Sequence, residues 1–134
     1  MPTTSLAWHL QDAVYNVLSA DSELMGQVKK IYHDVPENVA YPYIHLRVEG
    51  MEEWSTVSNT GVRVLFSVEI EGKERSPETV MTIAARVKAL LHNTHPSLAS
   101  GTVVGLKHTL SQVQSSNDLE RYRGSVGFVG MVEG

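Results

Sequence analysis

Cysteine is absent from the 134 residues, which excludes disulfides, thiolate zinc sites, iron–sulfur clusters and cysteine nucleophiles and suits a reducing compartment. A strong excess of either charge is also missing. Eleven Lys and Arg against fifteen Asp and Glu leave a formal net charge of −4, with no basic run to grip a nucleic-acid backbone. No apolar run approaches the roughly 20 residues that a membrane-crossing helix needs. The opening Met1-Pro2-Thr3-Thr4-Ser5 lacks the basic start of a signal peptide. Hydrophobic residues still reach 42%, enough for a core and unlike a disordered tail. The expectation is one compact, soluble, intracellular domain spanning residues 1–134.

Leu6, Leu10, Ala13, Val14, Val17 and Leu18 recur at steps of three and four and predict an amphipathic helix, with Thr4 or Ser5 as its cap. Trp8 and Tyr15 lie nearly opposite that stripe, so the helix's own core contact does not explain them. Asp21 is placed to cap a short turn carrying Leu24, Met25 and Val28. Ile31 to Val35 reads as a short strand stopped by Pro36, and Pro36 to Pro42 as a loop. From Tyr43 the alternation of Ile44, Leu46 and Val48 with His45, Arg47 and Glu49 predicts a strand, bent or bulged near Gly50. After the polar loop Ser55 to Gly61, a second strand places Val62, Val64, Phe66, Val68 and Ile70 on one face, while Leu65 breaks the other.

A turn at Gly72 to Arg75 leads to Ser76-Pro77-Glu78, a helix start in which serine accepts free N–H groups and proline fits the first turn. Val80, Ile83, Ala84, Val87, Leu90 and Leu91 form its apolar stripe. Two late strands follow, Thr102 to Val113 (Val104, Leu106 and Leu110 on one face) and Tyr122 to Val132, joined at Ser115-Ser116-Asn117-Asp118. The fold class expected is α+β: a mostly antiparallel sheet with two main helices on one face, in the order α-β-β-β-α-β-β. The uncovered sheet face then carries Leu65, Val113, Val129 and Met131 among polar residues. Together with Trp8 and Tyr15, that is more apolar surface than a solitary monomer shows, and predicts an oligomer.

No catalytic constellation is present. His92 and His95 lack the further ligands a metal needs. His9 sits beside Asp12 on the first helix as an ordinary exposed pair. His45 and His108 fall inside strands, and a hydrolase built on either has nothing to complete it. Gly124-Ser125-Val126-Gly127 has the wrong spacing for a nucleophile elbow, and the glycines at 124, 127 and 130 open no phosphate-binding helix. No metal and no cofactor are expected. The features left over are interaction features: Met51 and Trp54 at the base of an extended hairpin, and Arg121 and Arg123 flanking Tyr122. Trp54 has an alternative role, packing beneath its own loop.

Several short patterns, in their order and spacing, resemble the tail-completion (tail-terminator) proteins of long-tailed bacteriophages and gene transfer agents. They are Ile31-Tyr32, Tyr41-Pro42-Tyr43-Ile44, the strand ending at Gly72, Ser76-Pro77-Glu78-Thr79, and Asp118, Arg121 and Tyr122 before a final apolar strand. The resemblance implies a non-enzymatic virion assembly protein that forms a ring, typically a hexamer, on the head-proximal end of the tail tube. Such a ring stops tube growth and joins the tail to the head. The implied partners are copies of itself, the tail tube protein and a head-side connector or stopper protein, with DNA only passing through and no membrane contact. The implied location is the virion or phage-like particle, with assembly in the host cytoplasm. Trp8, Tyr15, Met51, Trp54, Leu65, Arg121, Arg123, Val129 and Met131 are the candidate oligomer or partner residues. A small-ligand or regulatory binding module is the competing reading, and it requires an apolar pocket between helices and sheet.

Overall fold

The computed structural model describes residues 3–73, 76–115 and 121–134, with side chains from residue 6 onward. The side chains of Thr4 and Ser5 and the expected turn residues at 74–75 and 116–118 lie outside that description. The first helix, α1 (Thr3–Ser19), already includes Thr3, so the expected cap at Thr4 or Ser5 falls inside its first turn. α2 (Ser22–Met25) starts where Asp21 predicts: its carboxylate accepts the Leu24 N–H at 2.9 Å. The strands are β1 (Ile31–Tyr32), β2 (Tyr43–Glu53), β3 (Gly61–Glu71), β4 (Thr102–Ser115) and β5 (Tyr122–Glu133). α3 (Pro77–Leu91) opens with Ser76 accepting the Glu78 N–H, as the Ser-Pro-Glu start implies.

The strands form one sheet in the order β1-β2-β3-β5-β4, with β1 parallel to β2 and every other pair antiparallel. Both main helices lie on one face, as expected. The reason is visible in two glycines of β5. A Cβ at Gly130 would stand 2.7 Å from Leu10 of α1, and one at Gly124 would stand 2.5 Å from Val80 of α3. The helices approach the sheet so closely that side chains at these points would clash. Between the layers lie Leu6, Leu10, Val14, Ile44, Val64, Val68, Ile83 and Val87, all buried. Phe66 and Phe128, opposite each other on β3 and β5, stack with ring centroids 5.4 Å apart.

α2 is held to α3 by charge. Arg86 donates through Nε and Nη2 to the two oxygens of Asp21 at 2.9 and 2.6 Å, and its Nη1 also lies 3.1 Å from Glu23. The hydrogen bond from Arg86, helped by the Leu24 N–H, holds the Asp21 carboxyl below its ordinary range.

β4 departs from the expected alternation. One extra residue at Val104 and another at Thr109–Leu110 interrupt its register with β5. Each such bulge shifts the alternation by one position. Leu106 therefore packs into the core while Val104 and Leu110 are exposed. Val113 lies opposite Gly124, on the helix side of the sheet, and does not belong to the uncovered face where the alternation had placed it. The bend expected near Gly50 of β2 is a bulge of the same kind, with the register shifting between Val48 and Gly50.

Candidate assembly interface

The uncovered face can be built row by row from the ladders. Leu65 of β3 faces Val129 of β5, flanked by Gly50 of β2 and Lys107 of β4. In the next row Arg63 faces Met131, flanked by Glu52 and Gly105. Leu65, Val129 and Met131 thus come together as expected. Leu65 is 39% exposed, and Val129 and Met131 are half-buried among Arg63, Lys107 and Glu52.

Toward the opposite end the same face becomes polar and aromatic. Glu69 lies 3.6 Å from His45 and 3.7 Å from Arg47, and Arg123 Nε meets Glu71 at 2.6 Å. Tyr43 packs against the rings of Tyr32 and Tyr41, at 5.8 and 5.2 Å between centroids. Burial, reinforced by the charge of Glu71, raises the Tyr43 hydroxyl above its ordinary pKa. The Arg121 guanidinium stacks over Tyr41 at 4.4 Å. The tyrosines at 32, 41 and 43 belong to the patterns that carry the resemblance but are not among the candidate interface residues, although three aromatics within twelve positions was the available signal.

The remaining candidates lie elsewhere. Trp8 and Tyr15 of α1 flank the ring of His33, at 5.0 and 5.4 Å between centroids. The chain itself thus supplies a partner for both. Tyr15 packs against the core and is half-buried, which corrects the expectation that both stand apart from it, whereas Trp8 remains 53% exposed. Burial lowers the His33 pKa against the opposing pull of Asp12, and His45 Nε2–H donates to the His33 carbonyl at 3.2 Å. Met51 is exposed on the helix side, opposite Val64 at the free end of β2. Trp54 lies over Gly61, and its backbone N–H donates to the Gly61 carbonyl at 3.0 Å. The indole therefore packs within its own hairpin. The nine candidates do not form one site.

The late histidines make local contacts, with His108 Nε2 and Ser111 Oγ 2.8 Å apart. The His108 backbone N–H donates to His92 Nδ1 at 3.0 Å, the His108 ring meets Phe128 edge-on, and burial lowers the His108 pKa. Among the described residues no three His, Asp or Glu side chains converge as a metal site would require. Among the described residues two surface hollows stand out: one of about 500 Å3 beside Ser76, Met81 and Ala85, another of about 440 Å3 beside Lys29, Tyr41 and Lys73. Neither lies between the helices and the sheet, where the ligand-module reading needs one. No described helix is long and apolar enough to cross a membrane.

Residues 12–133 match the family model described as tail completion protein gp17. The chain belongs to the tail completion protein gp17 family. That membership makes it a structural protein of phage-type tail assembly. Among solved structures it is similar to a chain of a structure titled "Virion of native gene transfer agent (GTA) particle". The two are 25% identical with a TM-score of 0.88, over 97% of this chain and 98% of that one. No curated protein matches the chain.

Proposed function

We propose that the chain terminates a tail tube: copies close into a ring, six by the resemblance, on the head-proximal end of the tube, stop its growth and present a surface to the head-side connector. The observation that carries this reading is the end-to-end similarity to a chain of a gene transfer agent virion, joined to the family match. The uncovered face around Leu65 supports it, because apolar side chains left in water beside complementary charges suit a contact surface. The work asked of such a ring is binding and geometry, with no bond made or broken. Its place is the virion, reached from the host cytoplasm where tails assemble. A net charge of −4 suits a ring through which DNA passes without adhering.

The test is tube growth followed by light scattering while tail tube protein polymerises. Adding the chain is expected to halt elongation at a sub-stoichiometric ratio to tube protein. Elongation that continues unchanged at a large excess of the chain would overturn the reading.

A further inference from the structure

The outer side of β2 is only partly covered. β1 pairs with it at Ile44 and His45 and goes no further, so the stretch from Arg47 to Glu53 has no strand beside it among the described residues. Which of its backbone groups stay open follows from the alternation of the strand. The Ile44 N–H donates outward to the Lys30 carbonyl, so Val48, in the same phase, also turns its N–H and C=O outward. Beyond the bulge at Glu49 the Trp54 N–H donates inward to the Gly61 carbonyl, so Met51 and Glu53 turn theirs outward. At the other edge of the sheet the middle of β4 is already capped by the segment after α3: the Asn93 N–H donates to the Leu106 carbonyl, and the His108 N–H to His92 Nδ1.

The side chains say what suits this edge. Val48 and Met51 lie on the helix side, opposite Phe66 and Val64, yet are 41% and 54% exposed because the helices leave this margin of the sheet uncovered. Exposed Trp8 extends the apolar strip: it packs on His33, which directly follows β1 and so stands level with Leu46. Glu49, Glu52 and Glu53 border the strip, and none forms an ion pair among the described residues, although Arg63 stands across the ladder from Glu52. A bulge and a row of like charges disfavour indiscriminate pairing, β2 of a second copy included. They favour a strand whose Lys or Arg side chains meet the glutamates while its apolar side chains cover Val48 and Met51. Among the described residues this chain holds no free strand of that kind, since Arg123 belongs to β5 between β3 and β4, and Lys107 is bonded to Asn93. The occupant is therefore a different protein.

We propose that the outer edge of β2, from Arg47 to Glu53, takes up an extended segment of another tail protein as an added strand, one that alternates apolar residues with Lys or Arg. Backbone pairing at Val48, Met51 and Glu53 supplies the affinity, and the glutamates select the charge. The contact goes beyond the ring reading and does not need it, since a single copy presents the whole edge.

The experiment uses the full chain and a fluorescein-labelled peptide of alternating lysine and valine, read by fluorescence anisotropy and by hydrogen exchange resolved to single amides. The peptide is expected to bind and to slow exchange at Val48, Met51 and Glu53. A glutamate–valine peptide is expected to bind at least about tenfold more weakly. So is the lysine–valine peptide N-methylated at its valines, which keeps its charge but loses the backbone donors that face β2. Met51→Pro removes one outward N–H at an edge position, and is expected to keep the fold by circular dichroism and to weaken binding by a similar factor. Should that variant fail to fold, the N-methylated peptide tests the same backbone contact from the other side. Binding that leaves the three amides unprotected, survives N-methylation, or is equal for the two peptides overturns the proposal, as does a chain that binds no peptide. Protection of these amides on self-association alone, without peptide, gives the edge to a second copy and also overturns it. Each of these results leaves tube termination standing, because the growth assay reads it separately.

Discussion

The indole of Trp54 fills the space that a side chain at Gly61 would take: a Cβ there would stand 2.4 Å from Trp54 Cε2. Around this contact the hairpin between β2 and β3 is tied by Ser55 Oγ accepting the Gly61 N–H at 3.1 Å and by the Gly134 N–H donating to the Thr60 carbonyl at 2.8 Å. The tip beyond it leaves Val57 fully exposed. The Gly61→Ala variant must displace a ring, not a flexible side-chain end. It is expected to lose about 1–3 kcal/mol, as overpacked sites do. Urea unfolding checks this. An unchanged midpoint would show that the indole moves aside freely.

Stability should fall on mild acidification. His33 and His108 both have pKa values lowered first by burial, so the folded chain resists taking up protons that the unfolded chain binds. With more protons bound unfolded than folded, stability rises with pH, and its loss sets in as pH drops through the unfolded value of about 6.5. Urea midpoints at pH 7.5 and pH 5.0 measure the loss. The double variant H33Q/H108Q is expected to lose less between these two values than the wild type, and an equal loss would contradict the assignment.

Much of the architecture could be read from particular residues. Ser76-Pro77 fixed a helix start through cap chemistry, and Val62 to Ile70 marked a strand through strict alternation. The bulges of β4 could not be read, because one extra residue leaves no compositional trace yet reverses which side chains face the core. That reversal is why Val113 was assigned to the wrong face while Leu65, Val129 and Met131, on strands paired without interruption, were assigned correctly. The helical wheel placed Trp8 and Tyr15 off the leucine stripe. It had no means of showing His33, brought in from the far end of β1. The tyrosines at 32, 41 and 43 gather only because the parallel pairing of β1 with β2 folds that loop back on itself.

Leu65 separates folding from assembly. Its side chain is on the uncovered face, away from the helices, so Leu65→Glu is expected to change unfolding stability by no more than about 0.5 kcal/mol. The same variant is expected to lose the ability to halt tube growth. Phe128→Ala, in the stacked pair with Phe66, is the contrasting case and should cost about 3–5 kcal/mol. Tube growth halted by Leu65→Glu as efficiently as by the wild type would remove this face from the contact surface.

Electron cryomicroscopy of tail tubes assembled in the presence of the chain tests the whole account most directly, by counting and locating its copies. The account predicts a closed ring of copies at one end of each tube and none along its length. Single copies, or copies scattered over the tube wall, would contradict it.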